Sequence, residues 1–294
     1  MASLKEVRNR IVSVNSTQQI TKAMKMVSAA KLRRATDAIV QMRPYAKKLA
    51  EMIATVSART ESTNENPFSE VREIKRVLII LVTSDRGLCG AFNTNVGKAA
   101  IQVIQEKYSE LNQNGQVEIL TLGKKGAEYM SRRGYKLNTT HTEIYSKLNF
   151  TNVKAIGEEV LEAFAKKEFD VVEVIFNEFK NVATQIIRNE QLLPLVEKQD
   201  DKKVVASSVD YIFEPNEEEV INELIPKSIK LSIFRALLES NASEHGARMT
   251  AMEKATENAG ELIKALKLEY NRSRQAAITK EILEIVGGAE ALSN

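Results

Sequence analysis

From Leu4 onward, a mostly apolar heptad-like register holds at alternating spacings of three and four: Leu4, Val7, Ile11, Val14, Gln18, Thr21, Lys25, Ser28, Leu32, Ala35, Ile39, Met42, Ala46, Leu49, Ile53 and Val56. A heptad-like repeat sustained this long predicts one coiled-coil helix. At 1.5 Å per residue it runs roughly 80 Å, well beyond a globular helix. A chain that opens this way needs a long partner for its seam. Two irregularities mark it. The seam turns polar at Gln18, Thr21, Lys25 and Ser28, while Met24, Met26 and Val27 shift apolar surface to another face, as if for a partner other than the coiled-coil mate. Arg43-Pro44 removes a backbone donor and predicts a kink or break.

The same spacing returns near the other end at Met249, Met252, Thr256, Ala259, Ile263, Leu266, Tyr270, Ser273 and Ala277. A second long helix is expected over 216–286, interrupted early by Pro226 and ended or frayed by Gly287-Gly288. Two such helices bury their seams most economically against each other, and a pair joined through an intervening domain packs antiparallel in the simplest topology. Between them the period changes. A polar linker at 61–67 leads to buried-type strands at 77–83, 117–122 and 171–176, alternating with helices at 94–107 and 153–167 and a loop and helix at 123–133, which predicts a parallel α/β sheet. Residues 198–203 form a solvated loop, and 210–215 are strand-like. The expected divisions are 1–60, 61–215 and 216–294.

Composition supports this division: aromatics are 5% with no Trp, and the 294 residues hold only 12 Gly and 5 Pro. No run approaches the roughly 18 apolar residues of a membrane span. Met1 to Lys5 lead directly into a charged amphipathic pattern, so no signal peptide is expected. One cysteine, Cys89, excludes an intrachain disulfide, and two histidines, His141 and His245, do not suggest a zinc site. The net charge of +3 hides an asymmetry: residues 1–60 hold twelve Lys/Arg against three Asp/Glu, net +9, leaving −6 for the rest. Such a basic arm suits an acidic surface. Its cations are interleaved with the heptads rather than set ahead of a zipper, and no aromatic precedes Tyr45, so nucleic acid fits poorly.

The chemistry-bearing motifs are few. Residues 84–93, Ser-Asp-Arg-Gly-Leu-Cys-Gly-Ala-Phe-Asn, sit between strand and helix where glycine-rich turns cradle phosphate. Their spacing matches neither dinucleotide nor P-loop signatures, and Gly123-Lys124-Lys125-Gly126 fails likewise. A structural turn is expected at both. Cys89 lacks a nearby base and reads as a packing residue. Glu244-His245 and Glu217-Glu218-Glu219 read as solvated helix faces. No nucleophile and base pair up. Two rival classes remain: a nucleotide-binding α/β enzyme with oligomerising helices, and a nucleic-acid-binding coiled coil.

Residues 4–34, 84–93 and 242–291 resemble the gamma subunit of F-type ATP synthases, the last containing ITKEILEIVGGAEA at 278–291. Three motifs in order cover both termini and the centre. The resemblance implies α/β plus a long antiparallel coiled coil, with the terminal helices as shaft and a Rossmann-like α/β domain as base. It implies a non-catalytic central rotor stalk, one copy per complex. Ion flow through a membrane rotor ring would turn it against alpha and beta subunits for ATP synthesis, with an epsilon subunit alongside and no nucleic acid or cofactor. Met24 and Lys25 would face an acidic lever loop of a beta subunit. Arg274, Gln275, Thr279 and Glu281 would bond to surrounding loops of the hexamer, with Arg248 lower on the same helix, and Tyr211 and Glu214 would meet the ring. Ala91 stands where the family commonly has Gly. Gly246 replaces a usual Ala, a loss of roughly 1 kcal/mol if exposed. The chloroplast dithiol insert is absent, and a bacterial chain on the cytoplasmic face of the plasma membrane is implied.

Overall fold

The computed structural model describes residues 4–57, 67–195 and 217–293. Residues 61–66 of the expected linker, the loop at 198–203, the strand-like 210–215 with Tyr211 and Glu214, and the helix start at Asn216 lie outside these residues. Among those described, helix α1 spans Leu4–Ser57 and α6 spans Glu217–Ser293. Between them run β1 (Val77–Val82), α2 (Phe92–Lys107), α3 (Ser109–Gln113), β2 (Val117–Leu122), α4 (Lys124–Ser131) and β3 (Leu137–Asn138). A 3-10 turn (Ile144–Lys147), α5 (Phe150–Ala165), β4 (Val171–Phe179) and β5 (Gln185–Leu193) complete them. The chain divides into two compact units, Met1–Ser28 with Met249–Asn294, and Ala29–Arg248.

In the larger unit the sheet has the order β3-β2-β1-β4-β5. β1 pairs parallel with β2 and β4, and β2 parallel with β3, but β5 returns antiparallel to β4. The sheet is therefore mixed, not parallel throughout as the alternation of strands and helices predicts. The reversal is made at Asn181, whose side-chain oxygen accepts the amides of Ala183 (3.0 Å) and Thr184 (2.7 Å). β1 reads as an unbroken apolar run because both of its faces are covered. Leu78, Ile80 and Val82 pack with α5 and with Ile225, Ile229, Ile233 and Leu237 of α6. Val77, Ile79 and Leu81 pack with Val96, Ala100 and Ile104 of α2.

The helix breakers do not break. Pro44 lies inside α1 and Pro226 inside α6. A proline in a helix interior costs about 3 kcal/mol. Around Pro226 that is outweighed, since Ile225 and Ile229 are each 1% exposed, and full burial of such a side chain is worth roughly 1.5–3 kcal/mol. Gly287 and Gly288 are also helical, with nothing among the described residues within 4 Å of a Cβ there to explain it. Gly246 is buried rather than exposed, and a Cβ there would meet Phe179 at 3.4 Å and Val182 at 3.7 Å, ordinary contact distances. Gly246→Ala is expected to stabilise the chain by about 0.5–1 kcal/mol, seen as a higher urea midpoint with unchanged slope.

In the smaller unit, α1 and α6 run antiparallel. Gln18 meets Thr256 and Gly260, whereas the later Lys25 meets the earlier Glu253. Every expected seam position here is buried or half-buried, including Val7, Thr21, Ser28, Met252, Ala259 and Leu266. The polar run does not turn away from the mate, contrary to expectation. Gln18 Nε2 donates to the Thr256 carbonyl at 3.2 Å, the Thr21 and Thr256 hydroxyls lie 2.8 Å apart, and Lys25 Nζ pairs with Glu253 at 2.5 Å. Hydrogen bonds replace apolar contact where the side chains are too polar to supply it. Met26 and Val27 do face outward, with Val12 and Ile20.

Candidate interaction and anchoring sites

Met24 and Lys25 lie on the half-buried flank of α1. Beside them a groove of about 540 Å³ is lined by Gln18, Lys22, Lys25 and Met26 from α1 and by Glu253 and Glu257 from α6. The Lys25–Glu253 pair is 38% and 45% exposed, so solvent screens it and its contribution is at most about 1 kcal/mol. Both ends remain within reach of an outside charge. Lys22, one turn before Lys25, is exposed.

Beyond Ala277 the seam of α6 has no mate among the described residues. Residues 278–289 are all exposed, among them Ile278, Ile282, Leu283, Ile285 and Val286. Arg274, Gln275, Thr279 and Glu281 are exposed on the same stretch, and Thr279 Oγ1 donates to the Gln275 carbonyl at 2.9 Å. The structure thus brings these four residues together on one helix end.

Arg248 is the least available of the expected contact residues. Its side chain is 9% exposed, and Nη1 lies 2.6 Å from Glu244 Oε1. Nη2 donates to the carbonyls of Arg86 (3.0 Å) and Gly87 (3.2 Å), in the loop after β1. That loop is fixed on its other side by Asn93, whose Oδ1 accepts the Ser84 amide at 2.9 Å and whose Nδ2 donates to Ser84 Oγ at 2.8 Å. Leu88 takes a left-handed φ of 63° and stands out at 62% exposure. Carbonyls turned towards a guanidinium make a cation cradle, the opposite of a phosphate site. Cys89 is buried beneath, and burial pushes its thiol up, as suits a packing residue.

Glu244 and His245 do not form a solvated face. Glu244 is 8% exposed, and burial raises its carboxyl despite Arg248. The sequence gives no sign of this, because the partner loop lies some 160 residues away. Burial, together with the charges of Arg248 and Lys31, pushes His245 down from 6.5 to about 4. The folded chain then binds fewer protons than the unfolded chain between those values. Stability present above pH 6.5 is therefore lost as pH falls towards 4. His245→Gln is expected to reduce that acid loss by roughly 1–2 kcal/mol, after discount for partial exposure, in urea midpoints taken from pH 7 to pH 4.

Two further carboxylates escaped the sequence reading. Glu173, 2% exposed on β4, accepts from Lys107 Nζ (2.9 Å), Tyr108 OH (2.8 Å) and Asn189 Nδ2 (2.7 Å). Glu239, 4% exposed on α6, accepts from Arg43 and from the Phe179 amide. A lone Glu in an apolar segment was the available signal for both. Among the described residues no group of three His, Cys, Asp or Glu could hold a metal ion, and no helix is long and apolar enough to cross a membrane.

Comparison with solved structures defines the class. The central stalk and c-ring structure of the Tetrahymena thermophila mitochondrial ATP synthase contains a chain 28% identical, with a TM-score of 0.56, covering 80% of this chain and 99% of that one. A chain of the Euglena gracilis mitochondrial ATP synthase rotor shares the fold at 21% identity and a TM-score of 0.60, over 94% and 98%. Long terminal helices with a central mixed α/β sheet are thus the architecture of ATP synthase stalk chains. A sequence model described as ATP synthase matches residues 3–292. The ATP synthase gamma chain of Cytophaga hutchinsonii is 60% identical over 295 residues, and that of Flavobacterium johnsoniae 52% over 293, each covering 100% of both chains. The chain belongs to the ATP synthase gamma-chain family, that of the central-stalk subunit, as the motifs at both termini and the centre imply.

Proposed function

We propose that the chain is the single-copy, non-catalytic rotor of a bacterial ATP synthase. In this reading its terminal helices, 1–60 and 216–294, turn inside a hexamer of alpha and beta subunits. The central part, 61–215, rests with an epsilon subunit on a membrane rotor ring at the cytoplasmic face of the plasma membrane. The observation that carries the proposal is the end of α6: a helix whose seam is satisfied up to Ala277 goes on to expose five large aliphatic side chains with no mate among the described residues. Leaving such a stretch in water is costly, and a sleeve of surrounding subunits removes the cost. A rotor also has to meet three identical partners in turn, so its contacts must be moderate. Exposed or half-exposed groups such as Lys25, paired with Glu253 on its own chain, suit that need. The carbonyl-lined loop after β1 weighs against nucleotide binding by the chain itself.

Affinity purification of the tagged chain from its own membranes is expected to bring down three copies each of two larger subunits per copy. Recovery of the chain alone, or as a homo-oligomer, contradicts the proposal. Within the complex, Met24, Lys25, Arg274, Gln275, Thr279 and Glu281 are the proposed hexamer contacts. Arg248 joins them only if its guanidinium can serve a partner while holding the loop, and Tyr211 with Glu214 are the proposed ring contacts. Gln275→Leu removes an exposed polar group from the helix end and is expected to lower steady-state ATP hydrolysis about tenfold, the effect of one or two lost hydrogen bonds. Unaltered turnover removes Gln275 from the set.

A further inference from the structure

Pro44 deprives α1 of one ladder hydrogen bond, leaving the Val40 carbonyl without its usual donor four residues on. The turn just before it is tied to the rest of its unit by the preceding residue. Arg43 Nη2 donates to Glu239 Oε1 at 3.1 Å. The other oxygen of the same carboxylate accepts the backbone amide of Phe179 at 3.1 Å. Phe179 is the last residue of β4 and pairs with Gln185 where the hairpin to β5 begins. One turn along α6, Ser243 Oγ donates to the Asn177 carbonyl at 3.1 Å, a second tie from α6 to the same strand end. A single buried carboxylate therefore joins α1, α6 and the sheet.

The arrangement is directional. Glu239 is 4% exposed, held by a charged donor and a backbone donor, so its position is fixed from both sides. Arg43 is 55% exposed and reaches inward from the rim. A twist of α1 about its axis would pull Arg43 from the carboxylate at the turn where the helix's own ladder is weakest. Ile39 and Met42 beside it are buried, but the hydrophobic contribution of such side chains is non-directional, so the ion pair adds an orientation that burial alone does not specify.

We infer that Glu239 is a positioning residue for coupling: with Arg43 it locks the two terminal helices in rotation to the sheet, so that torque on either helix reaches the base without slip. This rests on the proposed rotor function. It assigns no contact with another subunit to either residue.

The test uses the complete complex in sealed vesicles, comparing the original chain with Glu239→Gln, Arg43→Met and Arg43→Lys. ATP hydrolysis is measured alongside ion uptake, followed by a pH-sensitive dye and by radiolabelled sodium in parallel. Ion uptake per ATP is expected to fall about threefold in Glu239→Gln and Arg43→Met, the scale set by a half-solvated ion pair, with hydrolysis within about twofold of the original. Arg43→Lys, which keeps the cation, is expected to recover most of the uptake. Should Glu239→Gln fail to assemble, Arg43→Met at the exposed end carries the same comparison. Uptake per ATP unchanged in the variants overturns the inference. So does a proportional loss of hydrolysis and uptake, or a Lys variant no better than Met. The complex with the original chain reports separately on the rotor reading: if it hydrolyses ATP without moving ions, that reading fails, whatever the variants do.

Discussion

Gly123→Val is expected to cost the chain about 4 kcal/mol, a large share of the 5–15 kcal/mol available to an ordinary domain. Gly123 follows β2 and caps α4 with φ 117° and ψ 137°, backbone that side-chain-bearing residues rarely adopt. A Cβ there would stand 2.3 Å from the Thr83 carbonyl oxygen and 2.7 Å from its carbon. Thr83 cannot retreat. Its amide donates to Leu122 at 2.8 Å, its hydroxyl accepts the Gly126 amide at 2.8 Å, and it is fully buried at the end of β1. Strain and overpacking, each about 1–3 kcal/mol, therefore add. Urea unfolding followed by circular dichroism measures the loss. Gly87→Ala is the control: nothing lies within 4 Å of that position, and a change within about 0.5 kcal/mol is expected. A valine variant within 1 kcal/mol of the original would refute the account of this turn.

Arg248→Met is expected to cost about 3–5 kcal/mol, the penalty for stranding one member of a buried ion pair. The side chains of Arg248 and Glu244 are 9% and 10% exposed, and the same guanidinium holds the carbonyls of Arg86 and Gly87. Replacement leaves a buried carboxylate without its cation and the Gly87 carbonyl without this donor, while the Arg86 carbonyl keeps the Ser84 hydroxyl at 2.7 Å. The pH dependence identifies the cause. Burial already raises the Glu244 carboxyl above 4.5, and loss of Arg248 removes the charge that opposes the rise. A folded chain that binds the proton more tightly than the unfolded chain loses stability as pH rises through the window above 4.5. The variant is thus expected to unfold at lower urea at pH 8 than at pH 5. Adding Glu244→Gln is expected to recover part of the loss and flatten that slope. A single variant with no pH dependence would show that the pair is not what stabilises this end of α6.

The heptad positions were legible because their signal is local. Val7, Leu32, Ile39, Met42 and Leu49 of α1, and Met252, Ala259 and Leu266 of α6, are all buried. The strand β1 was legible for the same reason, six apolar residues buried on both faces. β5 was not, because QIIRNEQLL is an edge strand whose exposed face carries polar residues without clean alternation. Pro226 misled because tertiary burial of its neighbours outweighs the local cost, and no spacing reports that. The polar seam misled in the other direction: Gln18 and Thr21 read as surface until Thr256 stands opposite them. The buried roles of Glu173 and Glu239 were signalled only by a lone Glu in an apolar segment, because most of their partners lie far off in sequence, and the i, i+4 spacing of Glu244 and Arg248 gives the pair but not its burial.

The most direct measurement is rotation itself. Lys98 is exposed on α2 and Cys89 is buried, so Lys98→Cys gives one accessible thiol for a visible probe on the assembled, immobilised complex. On addition of ATP the probe is expected to turn in one direction, pausing at three equally spaced angles, since the proposed rotor would meet three equivalent pairs of partners in each turn. ATP hydrolysis at full rate with the probe stationary, or moving only by random excursions, would contradict the assignment of this chain as the rotor.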